Sequence, residues 1–256
     1  NDIYGDGQYD NFGFSVSIDS TGNIIAIGAR YDRSDPINTG YVKIYENISG
    51  SWLLIGNKIK GQADNDQFGW SVSINSNGNV VAIGAPYNNN NYNFGQVSIY
   101  ENISNNWALV GYPIYGNQNS GFGRSVSINN LGNIVAVGSP YSNPLNPSYT
   151  NGIISVYENF SNFWLIKGQP ISLENYSGSN ANFGSALSIS GDGNKIAGTA
   201  QDYILNGSQV GLARVYDLQN LCFGCTDSAA LNFEANASFE DSTCFYLIYG
   251  CTDSTA

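Results

Sequence analysis

Alternating apolar and polar residues, separated by short polar turns, run through most of the chain. In the segment 68–100, Val72 and Ile74 alternate with serines, the period of a strand with one face buried. A polar turn follows at residues 75–79, where Gly78 is free to take a positive φ. Residues 80–85 are nearly all apolar, as in a strand covered on both faces, and a second alternating run begins at Val97. The pattern predicts three short strands joined by a turn and a polar loop.

The same pattern occurs four times. The copies open with Phe12-Gly13, Phe68-Gly69, Phe122-Gly123 and Phe183-Gly184. The second strands close at residues 27–29, 83–85, 137–139 and 197–199, and the third strands fall at 42–45, 97–100, 154–157 and 213–216. Fourth strands are predicted from Trp52, Trp107 and Trp164 towards residues 59–61, 114–116 and 171. The period is roughly 55 residues, within the range of propeller blades and other repeat folds.

The pair Phe68-Gly69 followed by Gly84-Ala85-Pro86 resembles the FG-GAP repeat, the blade of integrin-α-type β-propellers. The resemblance covers about residues 3–218. It implies four-stranded antiparallel blades around an axis, usually in an extracellular adhesion or binding protein. Many blades of that family carry a calcium loop, DxDxDGxxD, between the first two strands. The equivalent turns here lack the several carboxylates that Ca²⁺ prefers, so the resemblance carries over the fold and not that calcium site.

Charge narrows the set of partners. The 256 residues carry a net charge of −11, and only 11% of them are charged, well below the usual quarter. With 9 basic residues in the chain, no basic patch suited to nucleic acid or an acidic membrane is expected. No run of apolar residues is long enough to span a membrane. The surface must consist largely of uncharged polar side chains.

From Leu221 the sequence changes character, and Gly224-Cys225-Thr226-Asp227 recurs at Gly250-Cys251-Thr252-Asp253. This segment resembles the short GCTD repeats found in tandem in secreted proteins of marine bacteria, algae and some of their viruses. All four cysteines lie here: Cys222, Cys225, Cys244 and Cys251. In a small module they suggest disulfides and an oxidising compartment. We favour Cys225 with Cys244. Cys251 then pairs with Cys222 or with a cysteine beyond residue 256, where the module is expected to continue. A zinc site is the weaker interpretation, because only one C-x₂-C occurs.

Six asparagines open N-x-Ser sequons. They are Asn47, Asn102, Asn159, Asn175, Asn206 and Asn236. The first three recur at the turn between the third and fourth strands. Local backbone hydrogen bonding and N-glycosylation in a secretory pathway are equally good explanations there.

Some acidic residues are candidate ligands for a weakly bound Ca²⁺. They are Asp6 with Asp10 and Asp64 with Asp66, in the loops before two Phe-Gly pairs, and Asp227 with Asp241 in the cysteine module. The third and fourth copies lack such pairs, which favours ordinary solvated acids. No other cofactor is indicated.

Catalysis is not expected. The chain has no histidine, which removes the most common general base and zinc ligand. A glycoside hydrolase with paired carboxylates is the remaining enzyme hypothesis. The repeated tryptophans are expected to pack between adjacent blades, because a structural role recurs in every repeat whereas a binding site usually does not.

The predicted fold is all-β. Residues 1–219 form a propeller-like domain of four visible four-stranded blades, and residues 220–256 form a small disulfide-stabilised module. The blades cover about residues 3–61, 62–116, 117–173 and 174–219. They close into a ring with residues 1–5 completing the last blade, or further blades lie upstream.

Two classes of function fit this architecture. The first is a non-enzymatic structural or adhesion module of a secreted or cell-surface protein, including a subunit of a surface filament whose partners are other copies or other surface proteins. The second is a propeller that binds a glycan or a protein through the loops at 31–38, 87–94, 141–151 and 202–209. Large aromatic residues should be exposed in those loops in a binder, and along blade edges in a polymer.

Overall fold

The computed structural model describes residues 2–34, 36–88, 94–142, 151–173, 176 and 180–218, and two short strands beyond them. These residues form strands, turns and loops, without a helix. Within them, no segment is a helix of the length and apolar character needed to cross a bilayer. The chain divides into two compact units, residues 1–216 and 217–256. The sequence pattern placed this boundary three residues later, between residues 219 and 220.

The first two sheets have the same layout, in which four antiparallel strands follow one another and a short fifth strand also pairs with the third. The first sheet consists of β1 (Phe12–Ile18), β2 (Ile24–Ala29), β3 (Tyr41–Ile48), β4 (Ser51–Leu54) and β5 (Ile59–Lys60). The second consists of β6 (Ser71–Ile74), β7 (Val80–Ala85), β8 (Gln96–Ile103), β9 (Asn106–Leu109) and β10 (Ile114–Tyr115).

The third and fourth sheets vary this layout. The third consists of β11 (Ser125–Ile128), β12 (Ile134–Ser139), β13 (Ile153–Phe160) and β14 (Phe163–Ile166), and a bridge from Ile154 to Ile171 replaces the fifth strand. The fourth begins with β15 (Phe183–Ile189) and β16 (Lys195–Ala200). A separate hairpin of β17 (Ile204–Leu205) and β18 (Ser208–Gln209) precedes its last strand, β19 (Leu212–Asp217). In the second unit, β20 (Phe223–Gly224) pairs in parallel with β21 (Phe239–Glu240).

The predicted strand pattern of residues 68–100 is confirmed. In β6, Val72 and Ile74 are buried and the intervening serines are half-buried, whereas every residue of β7 is buried. β7 lies between β6 and β8, with other sheets on both faces, which explains its continuous apolar run. In the turn between β6 and β7, the Asn75 side-chain oxygen accepts the N–H groups of residues 79 and 80 at 3.0 and 2.9 Å, and Gly78 has φ +69°.

Consecutive sheets pack face to face through a repeated apolar contact. Ala26 and Ile44 of the first sheet lie in one buried cluster with Val72 and Ile74 of the second. One repeat later, Ala82 and Ile99 lie in a second cluster with Val126 and Ile128. The described core is therefore a series of layers between sheets, as in repeat architectures where each unit contacts only its neighbours.

Repeated polar contacts fix the register between these layers. The hydroxyl groups of Ser15, Ser71 and Ser125 donate to the Gly69, Gly123 and Gly184 carbonyls of the next sheet at 2.7, 2.8 and 2.7 Å. A glycine permits this approach, because a Cβ on Gly84 would lie 2.0 Å from the Gly123 oxygen. In return, the N–H groups of Ile74, Ile128 and Ile189 donate to the Ser17, Ser73 and Ser127 hydroxyls, all at 3.0 Å.

Two of the repeated tryptophans join adjacent sheets, as predicted. The Trp107 indole N–H donates to the Ile55 carbonyl at 3.0 Å, and that of Trp164 donates to the Val110 carbonyl at 3.1 Å. Trp52, in the first sheet, is half-buried.

The fourth copy departs from the predicted alignment by one residue. Leu187 lies opposite Gly198, whereas the equivalent Val72 lies opposite Ile83. The triplet that closes the second strand is therefore 198–200 and not 197–199, and Thr199 occupies the place of Gly84. The sequence alignment was wrong because it matched the glycine of this copy to the glycines of the others.

The predicted fourth strand is two separate strands. β4 and β5 pair with opposite ends of β3, with a break at residues 55–58. Gly56 has φ +66° there, and its Cα lies so close to the Asn105 carbonyl of the next sheet that a Cβ would come within 2.6 Å. In the fourth sheet, the described residues contain three strands.

Candidate binding site

The Phe-Gly pair of each repeat forms a tight turn that redirects the next side chain. The N–H groups of Phe14, Trp70 and Arg124 donate to carbonyls three residues earlier, at 3.0, 3.1 and 3.0 Å. The glycine that precedes each of these residues has a positive φ, +87° at Gly13, +86° at Gly69 and +84° at Gly123. Residues with a side chain disfavour this left-handed conformation. In the first sheet the register shifts between Phe12 and Ser15, which marks a β-bulge. Bulges of this kind re-aim a side chain at the rim of a sheet.

A second set of side chains follows the second strand of each repeat. Arg30 and Tyr31 come directly after β2, Tyr87 follows β7, and Tyr141 follows β12. Because the first and second strands are antiparallel, the start of one and the end of the other lie at the same end of the sheet. The two sets of side chains therefore lie at the same end of the first and second strands of each sheet.

The two sets form a continuous arginine–aromatic row. Its members are Phe14, Arg30, Tyr31, Trp70, Tyr87, Arg124 and Tyr141. The Arg30 guanidinium carbon lies 4.4 Å from the Phe14 ring centroid and 5.4 Å from that of Trp70. The Arg124 guanidinium carbon lies 4.8 Å from Trp70 and 5.3 Å from Tyr141. Trp70 thus contacts arginines from two different repeats.

Ring-to-ring contacts hold the row in place. The Phe14 and Trp70 rings lie 4.8 Å apart and are tilted by 58°, and the Trp70 and Tyr87 rings lie 5.8 Å apart at 66°. Tilted aromatic pairs at these distances are favourable beyond the area they bury. The Tyr31 ring lies near two guanidinium groups: the Arg30 guanidinium carbon is 5.1 Å from its centroid and the Arg33 guanidinium carbon is 5.2 Å from it.

A small cleft opens beside the third repeat. It has a volume of about 210 Å³ and is lined by Pro86, Tyr87, Asn119, Gly121, Arg124 and Tyr141. Tyr141 is 36% exposed and Arg124 is half-buried, so both residues are partly accessible to solvent there. The cleft is smaller than the roughly 300–1,000 Å³ of a drug-sized pocket, and it suits one small group.

The row carries positive charge that no carboxylate neutralises within the described residues. The ion pairs in this part of the chain all use lysines. Arg30 donates instead to the neutral Asn11 side chain at 3.2 Å. The nearby Asp32 is engaged elsewhere: burial opposes its ionisation, but the Ser34 hydroxyl and Lys58, at 2.9 Å, lower the pKa of its carboxyl. The row can therefore attract an anionic group.

The candidate calcium ligands of the first two repeats have other partners. Asp6 pairs with Lys43 and Lys58, which hold the pKa of its carboxyl below the usual value despite its partial burial. Asp10 accepts the N–H groups of Gly7 and Phe12, both at 3.1 Å, and the Tyr41 hydroxyl.

In the second repeat, Asp66 is 1% exposed and accepts three backbone N–H groups at 3.1–3.3 Å. Burial nevertheless raises the pKa of its carboxyl to about 6. Asp64 is exposed and accepts from Asn65 at 2.8 Å. Among the described residues, no three metal-ligating side chains come together. Asp227 and Asp241 lie outside these residues, and weak cation binding stays a prediction.

The repeated sequons coincide with tight turns. The Asn47 side-chain oxygen accepts the Gly50 N–H at 2.8 Å, and that of Asn159 accepts the Asn162 N–H at 3.1 Å. These are the local hydrogen bonds to the backbone that the sequence analysis gave as one explanation of asparagine in these turns. N-glycosylation stays a prediction. Asn102 is half-buried at the same place and Asn206 is exposed between β17 and β18. The remaining sequons and all cysteines lie outside the described residues: Asn175, Asn236, Cys222, Cys225, Cys244 and Cys251.

Sequence reasoning located only part of the row. Tyr31, Tyr87 and Tyr141 open three of the loops that the second function hypothesis, a binding propeller, assigned to ligand contact. The residue after each Phe-Gly pair was missed, although it carries a signal: it is Phe14, Trp70, Arg124 and Ser185 in turn, whereas the positions around it repeat. Variation within an otherwise repeated pattern is what a binding position is expected to show.

Comparisons with known proteins agree with the fold. Residues 60–100, from β5 through most of β8, match the FG-GAP repeat family. Among solved structures, hydrazine synthase of Kuenenia stuttgartiensis is similar, with a TM-score of 0.52 and 12% sequence identity over 86% of this chain. This chain spans 50% of the length of that one, and at such low identity the likeness concerns the fold alone. None of the curated proteins matches. The findings support an all-β, propeller-like arrangement with an FG-GAP repeat at residues 60–100.

Proposed function

We propose that this chain is a non-enzymatic extracellular adhesion module whose four sheets are propeller blades and whose binding face is the arginine–aromatic row. The row itself carries the proposal. Guanidinium groups form paired hydrogen bonds with carboxylate or sulfate, and aromatic side chains offer flat apolar surface to a sugar ring. The ligand class that fits both is a short acidic glycan. A long polyanion fits poorly, because the chain as a whole has a net charge of −11.

The composition of the row favours binding over catalysis. Its seven members comprise two arginines and five aromatic residues, so no carboxylate is present to act as general acid or nucleophile. The paired carboxylates of a glycoside hydrolase have no counterpart in it. Secretion is supported by the cluster of four cysteines in the C-terminal part of the sequence.

The binding test uses trigalacturonic acid as the probe and neutral galactotriose as its uncharged comparison. Titration followed by calorimetry should detect the acidic trisaccharide alone, with affinity falling as salt rises. Arg124→Ala and Tyr141→Ala should each weaken binding by about tenfold, the loss expected for one charge-assisted or stacking contact. Arg214→Ala is the matched control, since Arg214 lies in β19, in the fourth sheet.

Equal binding of both trisaccharides, or equal losses in Arg124→Ala and Arg214→Ala, would contradict the proposal. No binding of either at millimolar concentration would remove the acidic-glycan assignment and leave a protein ligand as the class to screen.

A second candidate function, a subunit of an extracellular filament, is favoured by the outer strands. β4, β9 and β14 expose apolar side chains in three successive sheets. They are Leu53, Leu54, Leu109, Phe163, Leu165 and Ile166, each between 36% and 57% exposed. Exposed apolar edge strands are sites of association between chains. Aromatic residues are exposed at the row, as Phe14 and Tyr141, and at one edge strand, as Phe163, so both functions keep a structural basis.

Electron microscopy of native material tests the filament function. Fibres with a repeat matching one or a few modules, lost in Phe163→Ser with Leu165→Ser, would support it. Dispersed single particles in both proteins would leave glycan or protein binding as the function.

A further inference from the structure

The first sheet exposes a face that the second and third sheets bury. In those sheets, Val72, Ile74, Val126 and Ile128 are 6–8% exposed, because the preceding sheet covers them. Their counterparts in β1, Val16 and Ile18, are 60% and 54% exposed. The residue types are the same in all three strands, so the first sheet has the sequence of a covered sheet.

The polar groups of this face also match the internal interfaces. In the second sheet, the Gly69 carbonyl accepts from Ser15 and the Ile74 N–H donates to Ser17, both in the preceding sheet. The equivalent groups of the first sheet are the Gly13 carbonyl and the Ile18 N–H. Ser17 lies opposite Ala26 in β2, and the Asp19 N–H donates to the Ile24 carbonyl. Hydrogen-bonded and non-hydrogen-bonded pairs alternate along antiparallel strands. The Ile18 N–H, between these two residues, therefore points away from β2, towards the open edge of the sheet.

The opposite end of the series is built differently. Thr199 occupies the position of Gly84, where a Cβ would lie 2.0 Å from the carbonyl of a following sheet. Its hydroxyl bonds to the Ala186 backbone instead, at 3.2 Å. Ala186 stands where other copies have the donating serine. The fourth sheet therefore lacks both the gap and the hydroxyl that a following sheet needs, as in a terminal repeat that caps an array.

The open face of the first sheet and the far side of the fourth sheet are consequently not complementary. A head-to-tail contact between copies, or closure of the four sheets into a ring through the internal geometry, would place Thr199 against the Gly13 carbonyl. The sheet that fits the open face of β1 must instead carry glycine and serines at the positions of Gly28, Ser15 and Ser17.

We propose that the open face of the first sheet, formed by Gly13, Val16 and Ile18, docks one further sheet of this same repeat type, supplied by a repeat that precedes the four described here. The segment Ile3-Tyr4-Gly5 corresponds to Ile59-Lys60-Gly61 and would complete the edge of that sheet. This inference rests on the blade interpretation of the proposed function and is independent of the ligand.

The test adds the missing sheet to the chain. A second copy of residues 62–116 is joined directly to Asp6, so that its end replaces Ile3-Tyr4-Gly5 in register. The midpoint of thermal unfolding should rise by roughly 5 °C, and the Val16–Ile18 amides should gain at least tenfold protection from hydrogen exchange. The matched control carries Gly84→Thr in the added copy alone and should show neither gain. Equal results for the two fusions would overturn the proposal.

A measurement on the natural chain guards against a fusion that fails to fold. Val16→Ser with Ile18→Ser should leave the midpoint within about 1 °C, whereas Val72→Ser with Ile74→Ser should lower it by more than about 10 °C. Equal losses would show that this chain already covers the face, which overturns the proposal. A concentration-dependent dimer that the first pair of substitutions abolishes would also overturn it, since the occupant would be a second copy. Acidic-glycan binding measured on the same variants reports separately on the proposed function.

Discussion

At the scale of single residues, glycine and serine positions determine how closely two sheets approach. Gly28, Gly84 and Gly138 each leave room for the carbonyl of the next sheet, and a serine of the same sheet donates to that carbonyl. Thr199 shows the consequence of losing the glycine, because its side chain bonds within its own sheet and closes the approach. One position thus separates a sheet that continues the series from a sheet that ends it.

Gly84→Ala should be strongly destabilising. The new methyl group would lie 2.0 Å from the Gly123 oxygen and 2.3 Å from the Ser71 hydroxyl, so the second and third sheets must separate. We expect a loss of about 3 kcal/mol or more in the free energy of unfolding, measured by urea denaturation. Gly7→Ala is the control, since no atom lies within 4 Å of the site, and it should change stability by less than about 0.5 kcal/mol. Similar losses for both would refute the close-approach argument.

Asp66 should make the protein less stable as pH rises from about 4 to 6. Burial raises the pKa of this carboxyl from 3.8 to about 6 in the folded state. A raised pKa means that its stabilising contribution is present below the unfolded value and is lost as pH passes through about 6, by roughly 3 kcal/mol. The pKa values of three other carboxyl groups, those of Asp6, Asp19 and Asp32, are lowered. Their stabilising contribution is therefore present above about pH 4 and is lost as the pH falls further.

Urea unfolding of Asp66→Asn between pH 4 and 7 tests this dependence. The substitution should flatten the decline between pH 4 and 6, whereas the exposed control Asp64→Asn should keep it. A decline of the same slope in all three proteins would show that Asp66 does not titrate in this range.

At the scale of elements, the alternation of apolar and polar residues predicted the inner strands well. β6 and β7 form where expected, because half-burial and full burial leave different periods in the sequence. The break between β4 and β5 was not predictable from that pattern. It arises where Gly56 turns against the Asn105 carbonyl of the neighbouring sheet, a contact with a partner about 50 residues away in sequence.

Trp107→Phe should weaken the contact between the first and second sheets. It removes the indole N–H that donates to the Ile55 carbonyl at 3.0 Å and leaves that buried oxygen without this partner. We expect a loss of about 1–2 kcal/mol in the free energy of unfolding. Trp52→Phe serves as the control, because Trp52 lies in the first sheet, whose corresponding neighbour is the sheet proposed to be missing. A larger loss in Trp52→Phe than in Trp107→Phe would contradict the assignment of roles.

At the scale of the whole molecule, the sheets form a series in which the middle is better covered than the ends. The second and third sheets contribute fully buried central strands, whereas the fourth exposes Val215 at 67%, at the position of Ile44 and Ile99, which are 0% and 1% exposed. Stability should therefore be unequal along the series, as in other repeat architectures.

Hydrogen exchange should follow this order. Amides of β7 and β12 should exchange slowest, and those of β16 and β19 at least tenfold faster, because every residue of β7 and β12 is buried whereas β16 and β19 are partly exposed. Mass spectrometry of peptides across residues 80–85, 134–139 and 195–217 measures the difference. Uniform protection would show that the four sheets unfold as one cooperative unit.

The sequence by itself determined the repeat, the all-β class and the strands with a buried face, since each follows from residue types that recur at a fixed spacing. Tertiary structure alone decided the binding row and the ends of the series. Phe14, Trp70, Arg124 and Tyr141 meet because three sheets stack in register, and no local pattern encodes that proximity. The same holds for Thr199 and Val16: whether such a residue closes or opens an interface depends on a carbonyl or an apolar face that belongs to another sheet.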